Sequence, residues 1–224
     1  MDFYVDFNDR KRTAVVRPGT RPPKPRPGAP LIAALVDRSG SMQACRAEME
    51  RGLNAFVRDQ AAGADVMLYE FDHVMTEVWP MQPIESAPRY QLEPRGGTSL
   101  YDSLGEFMAI VGDELAEEDV YRPVCVVVVT DGEDTTSKEW TYQSVADQIA
   151  YWRDGYRWQF IFLGANVDAV ATAASMGIPE QTALTFDVRS AKATYAALSA
   201  TVSDWRAAKP AGFTEQDRRK ALGQ

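Results

Sequence analysis

Histidine and cysteine are almost missing from this sequence. Its 224 residues include one histidine, His73, and two cysteines, Cys45 and Cys125. So few imidazoles and thiols disfavour a zinc or copper site. Cys45 falls on the apolar side of a predicted helix and Cys125 lies within a run of valines, so we interpret both as small buried hydrophobic residues. Unpaired cysteines of this kind are typical of a reducing compartment.

Long apolar runs are lacking as well. The longest, residues 124–129, is far too short to span a bilayer. The first residues, MDFYVDFNDRKR, do not have the order of positive charge and apolar run that a signal peptide needs. We therefore expect a soluble, cytoplasmic protein that does not act at a membrane. The net charge of −8 and the pI of about 4.8 argue against a nucleic-acid partner.

Charge is unevenly distributed near the N-terminus. Residues 1–9 carry three aspartates, whereas residues 10–30 carry seven Lys or Arg and no acid. Residues 1–17 could form a small hairpin, as an N-terminal extension. Residues 18–30 belong to a basic stretch with six prolines, RPGTRPPKPRPGAP, which predicts an extended linker. A docking strip for an acidic or proline-binding partner is the alternative.

From residue 31 the apolar pattern alternates between strands and helices. Apolar runs predict strands at 31–37, 65–72, 74–79, 123–130, 158–163 and 183–186. Spacings of three and four predict helices near 42–61, 99–115, 137–153, 168–176 and 190–206. This order predicts one α/β domain over 31–207: a doubly wound, mostly parallel six-stranded sheet with one antiparallel edge strand and helices on both faces. The tail, 208–224, would add a short helix with Thr214 and Asp217 as a capping pair.

Several strands of that sheet are followed by polar loops, which should meet at one edge. The first strand ends in DRSGSM at 37–42, the central valine strand ends in TDGEDTTS at 130–137, and RGGTSLYD at 95–102 should reach the same rim. This convergence would gather two carboxylates and three hydroxyls, from Asp37, Ser39, Ser41, Thr98 and Asp131. Oxygen ligands of this kind suit Mg²⁺, with Mn²⁺ or Ca²⁺ as alternatives.

The three motifs together resemble the von Willebrand factor A domain family. DRSGSM, GGTSLYDSL and VVVTDGED stand in the family's order, and Asp37, Ser39, Ser41, Thr98 and Asp131 match the five positions of its metal-ion-dependent adhesion site. The chain looks most like the small intracellular members found in bacteria and their viruses. The resemblance implies a binding module rather than an enzyme, in which a partner protein's Asp or Glu carboxylate completes the coordination of the bound metal.

Two other functions remain open at this point. A magnesium-dependent phosphatase could use Asp37, although such enzymes want a second acid where Ser39 stands. A subunit that works beside an AAA+ ATPase would still have a binding role. Serine hydrolase, dinucleotide and Walker motifs are absent from the sequence.

Some polar residues near the predicted site have ordinary structural interpretations. Ser99 with Asp102, and Thr136 with Glu139, have the spacing of helix-capping pairs, and Asp168 could cap the helix that follows it. His73 is interpreted as a turn residue.

Overall fold

The computed structural model describes residues 28–60, 63–116, 118, 121–165 and 168–224. The predicted hairpin in 1–17 and the linker residues 18–27 lie outside the described residues. Within the described ranges, none of the helices combines the length and the apolar character needed to cross a bilayer.

A six-stranded sheet forms the centre of the molecule. The strands run in the spatial order β3-β2-β1-β4-β5-β6, and all neighbouring pairs are parallel except β2 with β3. Their bounds are β1 Leu31–Asp37, β2 Asp65–Phe71, β3 Met75–Pro83, β4 Val124–Thr130, β5 Gln159–Ala165 and β6 Ala183–Phe186. β1 and β4 are adjacent and buried along their whole length, as continuous apolar runs require. The predicted fold class is confirmed.

Helices cover both faces of the sheet. They are α1 Arg46–Asp59, α2 Leu100–Ala116, α3 Tyr142–Ala150, α4 Ala169–Ser175, α5 Ala191–Arg206 and α6 Glu215–Ala221. Alternate residues of β1 point to opposite cores: Ile32 packs with α1 and α5, and Ala33 packs with α2 and α3. The sheet is therefore buried between two apolar layers, and its polar loops are left at its edges.

Three segments differ from the sequence prediction. β3 continues to Pro83, and the connection after it is not confined to the surface, because Tyr90 and Leu92 are fully buried against α1. A 3₁₀ turn, Gly40–Ala44, precedes α1. The predicted start of the third helix was wrong: residues 131–141 form a loop, and α3 begins at Tyr142 with Thr141 and Ser144 as its capping box. The Thr136–Glu139 pair therefore caps no helix.

The C-terminal residues pack onto the sheet. Thr214 and Asp217 form the predicted capping box of α6. Phe213 and Ala221 are buried in the same core as α1 and α5. Arg218 donates to the carbonyl oxygen of Ala183 at 2.9 Å and so ties α6 to the start of β6. Residues 208–224 thus contribute to the hydrophobic core.

Candidate metal centre

Asp37 ends β1 with a buried carboxylate. One oxygen, Oδ1, accepts the backbone N–H of Ser39 at 2.6 Å, and the other, Oδ2, accepts the hydroxyl of Thr130 at 2.6 Å. Thr130 is the last residue of the neighbouring strand β4, and its hydroxyl also lies 3.1 Å from the carbonyl oxygen of Gly132. One contact from its own loop and one from the adjacent strand β4 therefore fix the orientation of this carboxylate.

Hydroxyl groups connect Asp37 to the second carboxylate. The Oγ atoms of Ser39 and Ser41 lie 3.0 Å apart, and Ser41 donates to Oδ1 of Asp131 at 2.8 Å. Ser39, whose backbone N–H binds Asp37, is therefore linked to Asp131 through its own hydroxyl and that of Ser41. Four of the five predicted residues thus form one hydrogen-bonded cluster at the carboxyl ends of β1 and β4.

Thr98 reaches this cluster from a third segment. Its carbonyl oxygen accepts the N–H groups of Thr135 at 2.8 Å and Thr136 at 3.1 Å. Its hydroxyl faces Gly132, where an added Cβ atom would lie 3.6 Å from Thr98 Oγ1. The structure therefore places Thr98 beside the residue that follows Asp131, at the same edge of the sheet as Asp37.

Burial raises the pKa values of both carboxylates. It raises the pKa of Asp37 to about 6, against the lowering effect of Thr130 and Ser39, and the negative charge of Asp131 raises it further. Burial also raises the pKa of Asp131. Two carboxylates whose ionised forms are disfavoured in this way are suited to a divalent cation, which would compensate both charges.

The donor set fits a hard metal ion. It consists only of oxygen atoms, from two carboxylates and three neutral hydroxyls. Among the residues that the structure describes, no group of three or more His, Cys, Asp or Glu side chains is placed to hold a metal. A metal at this edge would therefore depend on the serine and threonine hydroxyls, because acidic residues alone do not form a cage.

Asp102 binds the loop after β4, a role that the sequence did not predict. Its carboxylate accepts three successive backbone N–H groups, those of residues 138–140, at 2.8, 3.0 and 2.7 Å. In return, the first turn of α2 donates to side chains of the same loop, from Tyr101 to Asp134 and from Asp102 to Ser137. Asp102 thus fixes the loop after β4 to α2, and Thr98 lies two residues before the first residue of that helix.

Other residues singled out in the sequence have ordinary environments. Asp168 caps α4 by accepting the N–H of Ala171 at 3.0 Å, as predicted. His73 lies in the turn between β2 and β3 with Nδ1 3.1 Å from Asp72 Oδ1. Cys45 and Cys125 are buried and unpaired, and burial raises the pKa of the Cys45 thiol to about 12.

Thr130 was not identified from the sequence, although it could have been found from its position directly before Asp131 at a strand end.

Comparison with known proteins found structures similar to this one but no match by sequence. No family model matches this sequence, and no curated protein matches it. Solved structures with the same architecture are von Willebrand factor type A domains. The domain from Catenulispora acidiphila has a TM-score of 0.57 at 14% identity, covering 78% of this chain and 42% of its own. The vWF domain of the type V pili tip protein Mfa5 from Porphyromonas gingivalis has a TM-score of 0.54 at 11% identity, covering 85% and 100%.

A third similar structure is proximal thread matrix protein 1 from the mussel byssus, described with a zinc-occupied MIDAS motif. Its TM-score is 0.58 at 14% identity, covering 80% of this chain and 49% of that one. The chain thus spans about half the length of this protein and of the Catenulispora protein. At these identities the likeness establishes the fold, which is that of a von Willebrand factor A domain.

Proposed function

We propose that this protein is a metal-dependent protein-binding module. Asp37, Ser39, Ser41, Thr98 and Asp131 hold a divalent cation, with Mg²⁺ first and Mn²⁺ or Ca²⁺ as alternatives, and a partner's Asp or Glu side chain binds to that cation. The observation that carries the proposal is the hydrogen-bonded cluster from Asp37 through Ser39 and Ser41 to Asp131, with Thr98 beside it.

The chemistry of the cluster supports the binding of an outside anion. Two carboxylates balance the charge of a divalent ion formally, but three neutral hydroxyls donate little negative charge, so the ion stays attractive to a further carboxylate. The zinc-occupied MIDAS motif of the mussel protein supports a divalent metal in a domain of this fold. We therefore include Zn²⁺ in the test below.

A binding role is favoured over catalysis by the residue two positions after Asp37. A phosphatase of this type needs a second acid there, and Ser39 occupies that position. The net charge of −8 supports a protein partner over a nucleic acid. We place this activity in the cytoplasm.

Metal binding is tested by thermal unfolding. Mg²⁺, Mn²⁺, Ca²⁺ or Zn²⁺ should raise the melting temperature, since a ligand at a hundred times its Kd stabilises the folded state by about 2.7 kcal/mol. Asp131→Ala should abolish the shift. Asp147→Ala on α3, an exposed acid that accepts from Gln143, is the matched control and should keep it. A shift of equal size in Asp131→Ala, or none in the wild type, would refute the site.

Partner binding is tested by capture from the native host with the purified protein as bait. Capture should require the metal, be lost with a chelator, and be lost in Thr98→Ala, while Thr172→Ala on α4 keeps it. A partner that binds equally well in the presence of chelator and to Thr98→Ala would contradict the proposal. Hydrolysis of a phosphatase substrate that disappears in Asp37→Asn would favour the enzyme instead.

A further inference from the structure

Arg38 stands between two of the proposed metal ligands, yet its side chain points into the protein. The guanidinium is 7% exposed and binds three groups of the β2–β3 hairpin: Asp72 Oδ2 at 3.0 Å, Glu70 Oε2 at 3.3 Å and Thr76 Oγ1 at 2.8 Å. A buried arginine is retained only with such partners, because an unpaired buried charge is very unfavourable. The loop of Asp37 and Ser39 is therefore attached to β2.

Asp72 is the centre of this buried group. Its side chain is fully buried, and Oδ2 also accepts from Nε of Arg95 at 2.8 Å. The other oxygen, Oδ1, accepts the N–H of Val74 at 2.7 Å. Although burial opposes ionisation, these hydrogen bonds and the charge of Arg38 hold the pKa of Asp72 below its ordinary value. The carboxylate thus joins one arginine from each of two loops.

Backbone hydrogen bonds join the same segments of the chain as these side chains do. The Arg95 N–H donates to the carbonyl oxygen of Arg38 at 2.6 Å, and the Gly40 N–H donates to that of Gly96 at 3.1 Å. The Ser99 N–H donates to the carbonyl oxygen of Asp72 at 2.9 Å. Residues 95–99, which carry Thr98, are therefore held against both the Asp37–Ser41 loop and the end of β2.

We propose that Arg38, Asp72 and Arg95 are positioning residues that set Thr98 against Asp37 and Ser39 before a metal binds. This inference rests on the proposed function, because it concerns the same site. A buried ionic group adds little net stability compared with apolar packing, but its fixed geometry specifies one arrangement of the loops that it joins. A site already arranged loses less entropy when its ligand binds.

A second arginine in the protein provides a matched control. Arg122 also pairs with two acids, Asp65 and Glu118, and donates to the carbonyl oxygen of Ala29. It lies at the opposite edge of the sheet, beside the starts of β1 and β2. Loss of Arg122 should therefore reduce stability without altering the arrangement of the proposed ligands.

The experiment measures two quantities for each variant: the Kd for Mg²⁺ by calorimetry, and the melting temperature without metal. Arg38→Met should weaken Mg²⁺ binding by about tenfold or more, as loss of a group that orients metal ligands does. Arg38→Lys keeps the charge but not the planar fork, so its affinity should fall between those of Arg38→Met and the wild type. Arg122→Met should lower the melting temperature while its Kd stays within about twofold of the wild type.

Arg95→Gln is the variant to use if Arg38→Met does not fold, because the Arg95 side chain is 60% exposed. It should also weaken Mg²⁺ binding, and the amides of Gly40 and Ser99 should exchange hydrogen faster than in the wild type. Wild-type affinity in folded Arg38→Met or Arg95→Gln, with Asp131→Ala inactive, would overturn the inference and leave the proposed function intact. A wild-type protein that binds no metal would overturn both.

Discussion

The two edges of the sheet each hold a cluster of charged side chains, but the clusters differ in burial and in the balance of positive and negative charge. At the edge where the parallel strands begin, Arg122 and its two acids have side chains that are 16–24% exposed. At the other edge, Arg38, Glu70 and Asp72 are at most 7% exposed, and the same edge carries Asp37 and Asp131, whose pKa values burial raises. The first cluster joins chain segments, whereas the second also leaves acidic charge that a metal would compensate.

The largest difference in stability between the two edges is expected when a glycine at each edge is replaced by alanine. Gly96 has a φ of +71°, and an added Cβ atom would lie 2.6 Å from His73 Nδ1 and 3.1 Å from Asp72 Cβ. Gly63, before β2, has a φ of +79° with only an Arg206 nitrogen at 3.7 Å. Gly96→Ala should cost about 3 kcal/mol and Gly63→Ala about 1 kcal/mol, since both suffer backbone strain but only Gly96 also suffers a clash.

Urea unfolding of both variants measures this difference, and Mg²⁺ titration adds a second comparison. Gly96→Ala should also weaken Mg²⁺ binding, because residues 95–99 would shift away from Asp72. Equal losses of stability with unchanged metal affinity would show that the segment before Thr98 adapts freely.

Removing a charge at the site should stabilise the metal-free protein. In Asp37→Asn, the amide can still accept the Ser39 N–H and can donate to the Thr130 hydroxyl, which in turn lies 3.1 Å from the Gly132 carbonyl oxygen. The variant no longer carries a buried carboxylate, so its free energy of unfolding at pH 7 should rise by about 2 kcal/mol. Its metal-induced shift should be lost.

The stabilisation expected for Asp37→Asn should depend on pH. The Asp37 carboxyl has a pKa of about 6 in the folded protein and 3.8 as the reference value, so the folded state binds more protons between these pH values. The contribution of Asp37 to the stability of the metal-free wild type should therefore be lost as the pH rises from about 4 to about 6. The advantage of Asp37→Asn should be small at pH 4 and complete above pH 6. An advantage that does not vary with pH would contradict this origin.

The smallest effect is expected at the opposite edge. Glu118→Gln removes one of the two acids that bind Arg122, but its side chain is 24% exposed and Asp65 remains. Because solvent screens such a pair, the loss of stability should be below about 1 kcal/mol. The Kd for Mg²⁺ should not change, and a measurable change would show that the two edges are coupled.

The alternation of strands and helices and the convergence of polar loops were accessible from the sequence because they follow from apolar periodicity and from the geometry of parallel sheets. Asp37 and Asp131 each end an apolar run, so their places at one edge followed directly. The partners of Arg38 were not accessible, since nothing in its local pattern distinguishes a buried arginine from an exposed one. The start of α3 was missed because the carboxylate that orders residues 138–140 belongs to Asp102, on another helix.

The bonds between Asp102 and residues 138–140 set the length of the loop after β4. Three consecutive amides must meet one carboxylate, so a residue inserted after Glu133 would move every amide out of register with it. Because Thr98 is bonded to the same loop through Thr135, the insertion would also displace a residue far away in the chain. The number of residues between Asp131 and Trp140 is therefore fixed by contacts with another part of the chain.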